Sequence, residues 1–187
     1  MRVHTGRLIL TPAASSHSPD RAKLVDALTA GGLIGAALPG SGQRYLVGER
    51  FLSLITFAGC SVRIELAPPP DGSPFCHIVV DGPYRHPRLL WGRNTRPPRC
   101  PACQAPAKDW RLHTAEWSGS AAPRLTCGRC AAEAELDDWN WRENAGFGRL
   151  FITVEEVFPG EAVPTPELMN LLQQASGTSW RYFYIQD

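Results

Sequence analysis

Two Cys-x-x-Cys pairs constrain this chain more than any other feature: Cys100-Pro101-Ala102-Cys103 and Cys127-Gly128-Arg129-Cys130. That spacing lets a short turn aim two sulfurs at one point, and two such turns supply the four thiolates of a closed tetrahedral metal site. The 23 residues from Gln104 to Thr126 are enough for a hairpin that brings the turns together. Four thiolates around a dication exclude water and leave no open position, which favours a structural ion over a catalytic one. Tetrahedral sulfur ligation suits Zn2+ and also iron. Four free thiols, or two disulfides, are the metal-free alternatives, and disulfides suit a reducing compartment poorly.

The pattern at Cys100, Cys103, Cys127 and Cys130 resembles the zinc-ribbon family, over about a quarter of the chain. The resemblance implies two knuckles whose backbone N–H groups point at the thiolates, joined by short antiparallel strands around Zn2+. It implies little about activity, because ribbons occur in transcription, translation, repair and assembly proteins alike. The family often has Gly after the second Cys of a knuckle; Gln104 and Ala131 stand there.

A chain of 187 residues makes one domain, or one domain with an insertion. Its 43% hydrophobic and 20% charged residues are ordinary for a globular protein, and a formal charge of +1 gives no global steer toward nucleic acid or membrane. Seventeen arginines against two lysines, with abundant Ala, Gly and Pro, suggest a GC-rich bacterial genome. The apolar run Leu8-Ile9-Leu10 is too short for a signal-peptide core, and no stretch approaches the ~18 apolar residues of a membrane span. The expected location is the cytoplasm, where reduced thiols are available to metal.

The rest of the chain reads as α+β. Val3 to Leu10 is a first strand. Ser18-Pro19-Asp20 starts a helix with a Ser cap, Leu24, Ala27 and Leu28 form its apolar stripe, and Gly31-Gly32 stops it. Leu38 to Gly42 is a turn. Val47, Phe51, Leu54, Ile55 and Ala58 share a face at helical spacing, which predicts a buried second helix over 47–58, ended by Gly59. Ser61 to Leu66 and Phe75 to Asp81 read as two strands of a hairpin. Tyr84 to Arg99 is an extended lead. Arg149 to Phe158 is a strand, Thr165-Pro166-Glu167 caps a third helix that Gly177 closes, and Trp180 to Ile185 is an aromatic final strand. The predicted fold is therefore a mixed or antiparallel sheet with about three helices and an inserted four-cysteine zinc ribbon. Residues 1–94 and 147–187 would form one discontinuous domain, and 95–146 the insertion.

Function is less constrained. Arg93, Arg96 and Arg99 precede the first knuckle, and Trp110 and Trp117 follow it. Arginine beside tryptophan serves protein interfaces and single-stranded nucleic acid alike. The acidic residues Glu133, Glu135, Asp137, Asp138 and Glu143 count against a wholly basic binding face. The tryptophans, Trp110 and Trp139 first among them, also suit the small core such a module needs. No phosphate loop, nucleophile elbow or His-Glu-x-x-His motif is present. Cys60, Cys76 and His77 match no metal spacing and read as core, and His86 and His113 as surface. The leading expectation is a non-enzymatic binding or adaptor protein with another protein as partner. Nucleic-acid binding is the second reading, and an enzyme with a site near Cys76 and His77 the third.

Overall fold

The computed structural model describes residues 6–40, 42–58, 64–115 and 123–186. In chain order its elements begin with β1 (Arg7–Pro12), α1 (Arg21–Ala30), β2 (Ile34–Ala37), β3 (Arg44–Val47), α2 (Phe51–Leu54) and β4 (Ile55–Phe57). Then come β5 (Ile78–Asp81), β6 (Arg88–Trp91), α3 (Trp110–Ala115), β7 (Arg124–Thr126) and β8 (Glu133–Glu135). A 3-10 turn at Leu136–Asp138 leads to β9 (Ala145–Gly148), β10 (Phe151–Glu155), β11 (Ala162–Pro164), α4 (Pro166–Ser176) and β12 (Trp180–Ile185). The fold is α+β, as the sequence predicts, with four α-helices among the described residues.

Strands from both sides of the cysteine pairs share one six-stranded sheet in the order β12-β1-β10-β5-β3-β2, with every neighbouring pair antiparallel. Alternation along the strands decides what covers each face. Leu8, Leu10, Ile78, Val80, Ile152 and Val154 point to one face, where they pack with Leu24 and Leu28 of α1 and Leu168 and Leu172 of α4. Ile9, Phe151, Phe183 and Ile185 point to the other, against Leu90 and Tyr84. Here the two-stranded ribbon β6–β9 lies on the sheet. Gly146 permits that contact, since a Cβ there would run into the Phe183 ring. The ribbon carries the chain out to the cysteines and back.

Several boundaries follow the sequence closely. Thr165 caps α4 by accepting the Leu168 N–H, Pro166 is its first residue, and Gly177 closes it at φ 71°. β12 spans the predicted residues. Other expectations need correction. The first helix is capped by Asp20, which accepts the Lys23 N–H, and starts after Ser18 and Pro19. The helix predicted over 47–58 is instead a strand end, one helical turn and a second strand. The Gly48 N–H bonds the Leu33 carbonyl at 2.8 Å, the Arg50 N–H bonds the Gly32 carbonyl at 2.9 Å, and Ile55-Thr56-Phe57 pairs with β11. A Cβ at Gly48 would strike the Gly32 carbonyl, so this backbone approach needs glycine. Phe51 and Leu54 are buried as expected, while Leu52 is exposed. β1 occupies Arg7–Pro12, and Val3 to Thr5 lie outside the described residues. The expected hairpin reduces to a Cys76 N–H bond to the Glu65 carbonyl, because β5 pairs with β10 and β3; residues 61–63 lie outside the described residues. The lead from Tyr84 to Arg99 contains strand β6.

Candidate metal centre

Each cysteine pair is built by the same backbone pattern. In the first, the Gln104 N–H donates to the Cys100 carbonyl and the Cys100 N–H to the Ala105 carbonyl, both at 2.9 Å. In the second, the Ala131 N–H donates to the Cys127 carbonyl at 2.9 Å and the Cys127 N–H to the Ala132 carbonyl at 2.8 Å. Gln104 and Ala131 take φ of 61° and 59°, the left-handed region for which glycine is the easy residue. The turns that the zinc-ribbon resemblance would place around Gly therefore form here without it. Strands β7 and β8 flank the second knuckle, with Arg124 opposite Glu135 across the pair. Backbone pairing of Arg99 with Pro106 and with Asn140 ties the first knuckle to the returning chain.

This scaffold brings Cys100, Cys103, Cys127 and Cys130 together, with all four sulfurs within 4.8 Å of one another. Cys100 Sγ lies 3.8 Å from Cys130 Sγ, and Cys103 Sγ 3.6 Å from Cys127 Sγ. An ideal tetrahedron with a metal–sulfur bond of about 2.3 Å has a sulfur–sulfur edge of about 3.8 Å. A disulfide would need about 2.05 Å. The set can thus hold a metal ion in four-sulfur coordination. Cys100 and Cys127 are buried, Cys103 is half-buried and Cys130 is exposed.

Backbone donors prime one sulfur. N–H groups of Cys130 and Arg129 bring Cys127 down to about 6, and the Arg129 nitrogen is 3.5 Å from its sulfur. For Cys130 the Ala132 N–H acts in the same direction, but the Cys103 thiol, burial, and the Cys127 and Cys100 thiols outweigh it and push the thiol up to about 12. Four sulfurs this close share protons when no cation neutralises them, and a dication removes that conflict.

A cluster of aromatic residues holds the knuckles. Trp110, Trp139, Trp141, Phe147, Leu125 and Leu136 pack with Cys100 and Cys127. Trp110 meets Trp141 edge-on at 5.0 Å between ring centres, and Trp141 meets Phe147 at 5.9 Å. The Trp141 indole N–H reaches the Leu136 carbonyl at 2.9 Å.

The expected binding residues separate into groups. Arg93 and Arg96 are exposed. Arg99 is half-buried and donates to the Gln104 carbonyl at 2.9 Å, so its guanidinium braces the knuckle. Trp110, 2% exposed, presents no ring face to a partner and belongs to the core. Trp117 lies outside the described residues. Trp91, which the sequence reading passed over, is 46% exposed; its ring lies 5.4 Å from the Arg111 guanidinium and stands edge-on to Trp110. The signal was there in Leu89-Leu90-Trp91, an apolar run inside the arginine-rich lead.

Cys76 and His77 do not form a reactive pair. Burial, with Glu155 and Glu156 nearby, pushes the Cys76 thiol up to about 12, which leaves it protonated and inert at neutral pH. The His77 ring accepts from Arg44 through Nε2 at 2.9 and 3.1 Å, so its Nδ1–H donates to the Phe75 carbonyl at 2.9 Å. Cys60 lies outside the described residues. His86 is half-buried and His113 exposed. No helix among the described residues is long and apolar enough to cross a membrane. Comparison of the chain with known protein families, with curated proteins and with solved structures gave no match.

Proposed function

We propose that the four cysteines hold one structural Zn2+ in a ribbon-like unit, and that the protein is a non-enzymatic binding or adaptor protein of the bacterial cytoplasm. In this reading residues 95–146 are an insertion in an α+β domain made of 1–94 and 147–187. The carrying observation is the convergence of four sulfurs from two knuckles of matching hydrogen-bond pattern. A four-sulfur site leaves no coordination position for substrate, so its work is to hold a surface. Trp91 and Arg111 beside it supply that surface, with the residue types that anchor protein partners. Leu112, 68% exposed on the same helix as Arg111, adds apolar area.

Trp91→Ser and Arg111→Ser test the reading. Both should keep one zinc per chain by elemental analysis, yet lose a protein captured by the wild type from the native cytoplasm and re-bound in purified form. Unchanged binding of that purified partner by both variants would contradict it. Exposure of Arg93 and Arg96 favours nucleic acid as the second reading. Single-stranded oligonucleotide binding that falls steeply with salt and is lost in Trp91→Ser would establish that reading instead.

A further inference from the structure

Strand β6 ends at Trp91 and has β9 as its only strand neighbour among the described residues. Two contacts fix which of its backbone groups β9 uses. The Gly92 N–H donates to Thr95 Oγ1 at 2.9 Å, and that hydroxyl donates to the Asn144 carbonyl at 2.6 Å, so the Gly92 N–H faces the β9 side. The Phe147 carbonyl, opposite Leu89, accepts from Arg181 Nη2 at 2.9 Å and so points away from β6. Antiparallel alternation then turns Arg88 and Leu90 toward β9 and leaves the N–H and C=O of Leu89 and Trp91 on the outer edge. Among the described residues no hydrogen bond reaches those four groups.

The side chains of β6 alternate between the two faces of the ribbon. Leu90 packs toward the main sheet, and on that side the Arg88 guanidinium sits 3.6 Å from the centre of the Tyr84 ring. Leu89 packs with the cysteine cluster, and on that side Trp91 meets Trp110 and the Arg111 guanidinium. One arginine is thus held against a ring on each face, near opposite ends of β6, about 10 Å apart along the strand. Arg85, Arg93 and Arg96 flank them and are exposed. None of these five arginines takes part in a salt bridge among the described residues.

Edge and charge together define the occupant. An open strand edge offers donors and acceptors in alternation, and an extended peptide backbone answers both. A phosphate backbone offers acceptors alone and meets the outward carbonyls unfavourably. The unpaired arginines call for carboxylates. In an added strand, residues three apart lie about 10 Å apart and on opposite faces, the same disposition as Arg88 and the Trp91–Arg111 pair. We infer that β6 takes up, as an added strand, an extended acidic segment of the partner protein with Asp or Glu at two positions three residues apart. This partner class rests on the adaptor reading, whose surface it shares through Trp91 and Arg111.

Fluorescence anisotropy of the purified full chain with the labelled peptide Thr-Val-Asp-Thr-Val-Glu-Val-Thr tests it. The controls are the same peptide with Asn and Gln for the acids, two versions N-methylated at alternate amides along one edge or the other, and a single-stranded dT oligonucleotide. The acidic peptide should bind saturably. The Asn/Gln peptide, and the methylated version that loses the pairing edge, should each bind at least about tenfold more weakly. Arg88→Gln and Arg111→Gln, both exposed positions, should each weaken the acidic peptide about fivefold or more with zinc content and melting temperature retained. No saturable binding up to about 1 mM would overturn the inference, as would equal binding of the Asn/Gln peptide, undiminished binding of both methylated versions, unchanged affinity in both variants, or binding of the oligonucleotide alone. A native partner that Trp91→Ser loses, with no binding of the acidic peptide to the wild type, would sink this inference and leave the adaptor reading standing.

Discussion

Ala131 shows how a single residue can tell against its own fold and still be held in place. A left-handed φ costs an L-residue about 1–2 kcal/mol, and two knuckle bonds and the adjacent sulfur site hold Ala131 there. Ala131→Gly should relieve that strain, less the entropy glycine gives up, for a net gain of about 0.5–1 kcal/mol. Slower metal loss to a chelator and a higher melting temperature would check it. His77 yields a pH prediction. Burial lowers its proton affinity, the Phe75 carbonyl opposes this, and Arg44 lowers it further. The unfolded chain therefore binds a proton more readily below the ordinary value of 6.5, and stability falls as pH drops through that range. Well above 6.5 both states are neutral and His77 contributes no pH dependence. In denaturant titrations the loss between about pH 7 and pH 5.5 should be smaller in His77→Gln than in the wild type. Metal release acts on both proteins alike, so the difference isolates the imidazole.

Helix α4 was legible because its signals are local: Thr165, Pro166 and Gly177 mark its ends, and Leu168 and Leu172 its buried face. Residues 47–58 were not legible for the opposite reason. Phe51, Leu54 and Ile55 fit a helical stripe, but their structure is fixed by partners far away in sequence, the Gly32–Leu33 backbone and β11. Periodicity cannot see those bonds. The four converging cysteines were readable from spacing alone, whereas Trp91 and Arg111 meet only through tertiary packing and carry no motif. Thr165 does two jobs, capping α4 and donating to the Leu54 carbonyl at 3.0 Å. Thr165→Ala should cost about 1–2 kcal/mol in chemical denaturation, more than a cap alone typically does, whereas Thr165→Ser should cost much less.

Across the molecule, one apolar cluster joins the main sheet to α1 and α4 and another surrounds the cysteines. Between them a third cluster, Ile9, Phe151, Phe183 and Ile185 on the sheet's second face, packs against Leu90 of the β6–β9 ribbon, whose Leu89 packs with the cysteine cluster. Because the clusters draw on different residues, loss of the metal should loosen the second and spare the first. Cys127→Ser is expected to bind no metal and to show faster amide exchange in β7 and β8. Exchange in β1, β10 and β12 should stay slow. A uniform rise in exchange would mean that the sheet depends on the ion. A single cation shared by four sulfurs is what the proposed role of this surface depends on. X-ray absorption at the metal edge of the purified protein tests this most directly: it should find zinc with four sulfur neighbours at about 2.3 Å. Nitrogen or oxygen in the first coordination sphere, fewer than four sulfurs, or a chain without bound metal would contradict it.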